Sequence, residues 1–231
     1  TARSTPNGLR LDANVAAGQS YRLLIVGVET SVDVRVTNLV LIDGTAVYVH
    51  GTSADDNYSF AAGDTHEVIA NGTRYEFASS ATRRMYLLGG DGQDSVTLTG
   101  SASYDAAALR PGKVSLRTTT VLVLARGFET ASVDGRTGQD VAYFADSNAR
   151  EVFTSWGDRA ELTGGGSHLQ VNGFESVRAR SFAGDDVANL HTNSASDSVS
   201  RVGSATRLIS PTNLREVAGF GAVSMFDTGL L

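Results

Sequence analysis

The sequence predicts an all-β fold, a β-solenoid (parallel β-helix) built from 46-residue repeats with a divergent N-terminal rung or cap. Three observations predict it. Gly-Phe pairs recur at Gly127-Phe128, Gly173-Phe174 and Gly219-Phe220, each pair 46 residues after the last. Apolar and polar residues alternate within each copy, the period-two mark of half-buried strands. The chain carries 25 glycines and only 3 prolines in 231 residues, which suits many tight turns rather than a proline-rich linker.

The elements follow in order. Residues 1–46 do not join the repeat cleanly and read as N-terminal strands, a divergent rung or a cap. Leu23-Leu24-Ile25-Val26 and Leu39-Val40-Leu41-Ile42 read there as buried strands. Residues 47–231 form the repeat region, with copies near 82–126, 127–172 and 173–218 and a partial copy at 219–231. Gly92, Gly138 and Gly184 align at the same period, as do Asp94, Asp140 and Asp186. Val96/Leu98, Ala142/Phe144 and Ala188/Leu190 follow as strand cores, and Leu116, Leu162 and Leu208 align further on. One copy runs from Gly127-Phe128-Glu129 through a strand to Val133, the turn Gly135–Asp140, a strand Val141–Ala145 and a polar turn at Asp146-Ser147. Two or three short strands complete it, so a unit is expected to hold about two coils. Gly164-Gly165-Gly166 reads as a tight hairpin or coil corner. A propeller blade has a similar length, but a ring needs at least about four blades, and roughly three and a half copies fit a stacked solenoid better.

Composition excludes several function classes. A net charge of −6 argues against a nucleic-acid partner, because phosphate binding needs a basic face. The absence of cysteine removes thiolate zinc sites, iron–sulfur clusters and cysteine nucleophiles. No apolar run is long enough to span a membrane as a helix. The start at Thr1 without Met suggests a processed chain or a fragment of a larger protein.

One motif carries chemistry. Gly89-Gly90-Asp91-Gly92-Gln93-Asp94-Ser95-Val96 matches the pattern G-G-x-G-x-D-x-U, with weaker copies at Gly135–Asp140 and Gly184-Asp185-Asp186. Glycines permit positive φ, carbonyls turn inward, and aspartate offers a hard oxygen ligand. Here the chain resembles the RTX-type repeats and the repetitive β-solenoid modules of large secreted bacterial surface proteins. That resemblance implies calcium (Ca2+) held by Asp91 and Asp94. In that family the motifs run in tandem, whereas these copies stand 46 residues apart, so each loop is expected to be alone. The competing reading has Asp94 accepting hydrogen bonds from backbone N–H groups of its own turn. Asp146-Ser147 and the series Asp105, Glu151 and Asp197 are read in the same way, as turn residues.

The periodic Phe128, Phe174 and Phe220 are expected in the core. Trp156, Tyr143 and Tyr86 break the repeat and are candidates for a carbohydrate platform. His50, His66, His168 and His191 form no ligand spacing and read as surface or edge residues. The function expected is a structural or adhesive module, extracellular or on the cell surface, that associates with neighbouring repeats or a second copy, or binds surface polysaccharide. The alternative is a polysaccharide-active β-helix enzyme, a lyase or epimerase, or its accessory carbohydrate-binding module. Arg83, Arg84, Lys113, Tyr104 and His168 are the available acid–base types, and no catalytic set is assigned among them.

Overall fold

The structure is a computed structural model, which describes residues 2–5, 8–11, 19–27, 34, 39–183, 185–192 and 194–227, the first two stretches for their backbone. It is all-β among these residues and winds as a β-solenoid of about five turns. A hairpin of β1 (Ala2–Thr5) and β2 (Gly8–Leu11) forms a separate two-stranded sheet. Next come β3 (Val40–Asp43) and β4 (Ala46–Thr52), an antiparallel pair.

Four units follow, each opening with a three-stranded antiparallel meander. The first has β5 (Asn57–Ala61), β6 (Thr65–Ala70) and β7 (Thr73–Ala78), then single strands β8 (Arg84–Gly90) and β9 (Ser95–Thr99). The second has β10 (Ala106–Arg110), β11 (Lys113–Arg117) and β12 (Leu122–Arg126), then β13 (Thr130–Asp134) and β14 (Val141–Ala145). The third has β15 (Glu151–Trp156), β16 (Arg159–Gly164) and β17 (Ser167–Asn172), then β18 (Ser176–Arg180) and β19 (Val187–Thr192). The fourth has β20 (Ser198–Val202), β21 (Ala205–Ile209) and β22 (Leu214–Ala218), then β23 (Ala222–Asp227).

These strands build two sheets. The first has the order β20-β21-β22-β18-β14-β10-β11-β12-β8-β4-β3, and the second β23-β19-β15-β16-β17-β13-β9-β5-β6-β7. Each of the first three units therefore visits the sheets three times: a meander on one, a single strand on the other, and a single strand back. Three visits are one and a half turns, not the two coils expected. The odd half-turn explains why meanders alternate, the first and third units on the second sheet and the second and fourth on the first. Single strands β8, β13, β18 and β23 start at Arg84, Thr130, Ser176 and Ala222, 46 residues apart, yet lie alternately on opposite sheets. Units join through parallel pairs, such as β14 with β18 and β13 with β17.

The core lies between the sheets. Val96 and Leu98, Ala142 and Phe144, Ala188 and Leu190 all point inward and are buried. Phe144 of the first sheet meets Phe153 of the second edge-on, with ring centroids 5.4 Å apart. Each fully buried side chain of this size contributes roughly 1.5–3 kcal/mol. Phe128 and Phe174 are buried, while Phe220 in the last unit is half-buried against the same core. The glycine run closes the β16–β17 hairpin, with Gly165 at φ 55° and Gly166 at φ 80°, the pair of positive values a two-residue type I′ turn needs.

Two expectations are corrected. Leu23–Val26 forms no strand and is exposed, Leu24 at 84% and Val26 at 85%, and no strand among the described residues pairs with it. Of the second apolar run only β3 is a strand, and it lies at a sheet edge with Leu41 and Ile42 exposed. His66 is not a surface residue; it is fully buried on β6 beside Phe60, and burial lowers its pKa.

Candidate functional site

The turns between sheets stack along the two edges of the solenoid and bring carboxylates together. Each station combines three turns: the one leading into a meander, the glycine turn, and the Gly-Phe turn. At the first station, Asp56 stands before β5, Asp94 before β9 and Glu129 before β13. The backbone N–H of Asp56 donates to Asp94 Oδ1 at 2.7 Å, and the N–H of Asp94 donates to Glu129 Oε2 at 2.7 Å. The second station repeats this with Asp105, Asp140 and Glu175: the Asp105 N–H donates to Asp140 Oδ1 and the Asp140 N–H to Glu175 Oε2, both at 2.7 Å. At the third station the Glu151 N–H donates to Asp186 Oδ1 at 2.7 Å, and Gly221 occupies the place of the third acid.

The glycine turn was expected to be isolated, with its aspartate bonded inside its own turn. It is neither. The meander folds back so that the leading turn of the unit, 38 residues earlier in sequence at the first station, stacks directly on the glycine turn. Asp94 thus locks two turns together. The packing is close: a Cβ on Gly51 would lie 1.5 Å from the carbonyl oxygen of Gly89, and one on Gly89 2.5 Å from Asp94 Oδ2.

Burial shapes the electrostatics. Asp94 and Asp140 are at most 1% exposed, and Oδ2 of each has no hydrogen-bond partner. Desolvation raises both pKa values to about 6, with neighbouring carboxylates adding to it and the accepted backbone hydrogen bond opposing it. Asp105 is raised too, chiefly by burial, against the bonds from Ser101. Of the two predicted metal ligands, Asp94 is buried in the station and Asp91 is exposed.

Among the described residues, three acids do converge at the third station. One oxygen each from Asp146, Glu151 and Asp186 lie within 4.8 Å of one another, and these residues could hold a metal ion. Asp146 Oδ2 accepts from the N–H groups of Phe182 and Ala183 at 2.7 and 2.9 Å, and Asp186 Oδ2 accepts from the Ser181 hydroxyl at 2.7 Å. The motif's glycine Gly184 and the turn residue Asn193 lie outside the described residues, as do Thr228–Leu231.

Sequence reasoning passed over Asp56, Glu129 and Glu175 as station members. Glu129 and Glu175 had a signal, since each follows a Gly-Phe pair. Asp56 had none, because its partner lies on another turn. Arg215 was also missed. It occupies the slot of Val123 and Leu169 and is 2% exposed, its Nη1 donating to the carbonyl oxygens of Glu175 and Leu214. Desolvation lowers its pKa to about 10, against the pull of Asp158 and Glu175.

The remaining candidates are scattered. Arg84 and Lys113 lie on the first sheet, His168 lies on the second near Glu161, and Tyr104 sits in an edge turn. Each aromatic candidate lies against another side chain on the outer faces. Tyr86 lies flat on Tyr48, with centroids 4.6 Å apart. Trp156, His191 and Phe226 form a ladder at 5.3 and 4.9 Å, and Tyr143 faces Arg178. Such ladders cover the ring faces on which a sugar would stack.

The architecture defines the chain as a β-solenoid. Comparison with protein-family models, curated proteins and solved structures found no match to it.

Proposed function

We propose that the chain is a structural module of a secreted bacterial surface protein, related in design to RTX-like repeat modules, and that it associates with a second copy of itself through its open strand edges. One observation carries this reading. The exposed edge of the second sheet at one end is β23, which starts 92 residues after β13; the edge at the other end is β7, the third strand of its meander, as β17 is of its own. Inside the chain β13 and β17 pair in parallel, Val133 opposite Val171. The two ends are therefore complementary halves of a seam the protein already makes. Repeating that register between copies brings Met225, 38% exposed, over Tyr75. On the first sheet the same stacking sets β20 beside β4, a seat held by the four-residue β3, which must move aside. A head-to-tail contact of this kind is heterologous and extends into a filament.

Adhesion to polysaccharide is the weaker form of the proposal, because the aromatic ladders spend their faces on each other. Calcium is the cofactor that belongs with it, since the stacked turns offer only hard oxygen donors. Light scattering across a dilution series tests assembly. The proposal expects a mass that climbs with concentration and stays monomeric in Met225→Lys; a strict monomer at high concentration contradicts it.

A further inference from the structure

We infer that the third station, Asp146 with Glu151 and Asp186, is a divalent-cation site, and that the first two stations are not. The inference deepens the calcium part of the proposed function and is independent of self-association. It places the ion where the glycine motif is weakest, away from Asp91 and Asp94.

The argument compares equivalent positions. The leading turns run Thr52–Asp56, Ser101–Asp105 and Ser147–Glu151, each closing with an acid four residues on. The residue before each is Gly51, Gly100 and Asp146. Gly51 and Gly100 have no room for a side chain: a Cβ on Gly100 would lie 2.2 Å from Asp105 Oδ2. The third station has opened at this point. Asp146 replaces the glycine, and Ser181 stands where Gly89 and Gly135 stand. Two backbones in tight contact have given way to a carboxylate and a hydroxyl.

A second observation is the state of the leading acid. Asp56 is satisfied by the Thr52 N–H and hydroxyl and by the amide of Asn71, at the β6–β7 turn. Asp105 takes the Ser101 N–H on one oxygen and its hydroxyl on the other. At the third station the meander's second turn has Gly165 where the first has Asn71, so no amide is available. Glu151, one methylene longer, pairs Oε1 with the Ser147 hydroxyl and leaves Oε2 without a hydrogen-bond partner although the residue is 1% exposed. Asp94 and Asp140 also leave one oxygen without a donor, but among the described residues only here do oxygens of three acids lie within 4.8 Å of one another, and a buried carboxylate oxygen without a donor in such a cluster calls for a cation. Among the described residues no arginine, lysine or histidine forms an ion pair with any of the three.

The donor set selects the ion. Three carboxylates and the hydroxyls of Ser147 and Ser181 are hard oxygens with no nitrogen or sulfur among them. They come from two separate turns and impose no octahedron, which fits Ca2+ better than Mg2+.

The experiment uses the whole chain, stripped with chelator and titrated calorimetrically with CaCl2 or MgCl2, with melting followed in parallel. The inference expects one calcium per chain and a melting temperature that rises with calcium. Affinity should fall at least about tenfold in Glu151→Gln and in Asp146→Asn, and stay unchanged in Asp94→Asn. Asp146 is only partly buried, so its variant reports even if Glu151→Gln does not fold. Binding lost in Asp94→Asn and kept in the other two overturns the site, as does a stoichiometry of one per station. No calcium heat in the wild-type chain at millimolar concentration overturns the site together with the calcium part of the function, and leaves assembly to be judged by light scattering.

Discussion

Asp94→Asn should stabilise the protein at pH 8 and lose most of that advantage at pH 4. Asp94 is 1% exposed, with Oδ1 held by the Asp56 N–H and Oδ2 unpartnered. Its pKa rises from 3.8 to about 6, desolvation being the main cause. The folded state therefore binds this proton more tightly than the unfolded chain does. Stability from this group is full below the unfolded pKa, falls as pH rises, and is at its lowest above the folded pKa. A difference of about two units corresponds to about 3 kcal/mol as an upper bound. Asparagine keeps an acceptor for the Asp56 N–H and carries no charge at any pH. The advantage of the variant over wild type should therefore shrink by about 2–3 kcal/mol between pH 8 and pH 4. Urea unfolding of both proteins with chelator present measures it, provided the slopes agree. Taking the difference at each pH cancels the titration of all other carboxylates. An advantage that is equal at both pH values, or larger at pH 4, refutes the reasoning.

Other perturbations test the packing. Phe174→Ala removes a fully buried ring and should cost about 3–5 kcal/mol in chemical denaturation; a loss below about 1 kcal/mol would place the ring outside the core. Gly51→Ala drives a Cβ to 1.5 Å from the Gly89 carbonyl oxygen and should prevent the two turns from stacking, seen as loss of the cooperative melt. Gly44→Ala meets nothing within 4 Å and should cost only about 1 kcal/mol, for its φ of 56°. Asp91→Asn, on an exposed side chain, should leave the melting temperature within about a degree of wild type at pH 8, where Asp94→Asn should raise it.

The solenoid was legible because core slots and turns carry the period. Leu116, Leu162 and Leu208 occupy equivalent buried positions on meander strands, and the order of strand, glycine turn, strand, polar turn and three strands could be followed from Gly127 onward. The alternation between sheets could not. A one-dimensional period counts residues, and a unit of three half-turns has the same spacing as one of four. The same blindness hid the stations. Asp94 and Asp56 are joined by a fold-back of the meander, and only the stacking of turns makes them neighbours. Leu23–Val26 shows the converse failure, where an apolar run suggested burial and no strand among the described residues provides it.

The alternation of units is the claim on which the stations and the complementary ends both depend, and one distance tests it. Ser115 on β11 and Glu161 on β16 are 46 residues apart, and each faces outward between buried neighbours. The chain has no cysteine, so nitroxide labels can be placed at these two positions alone. With the meanders on opposite sheets, packed about 10 Å apart and labelled outward, dipolar spectroscopy should return roughly 25 Å or more. If successive units stacked on one face, the labels would sit about two and a half strand spacings apart, roughly 12 Å, and that result would contradict the alternating solenoid.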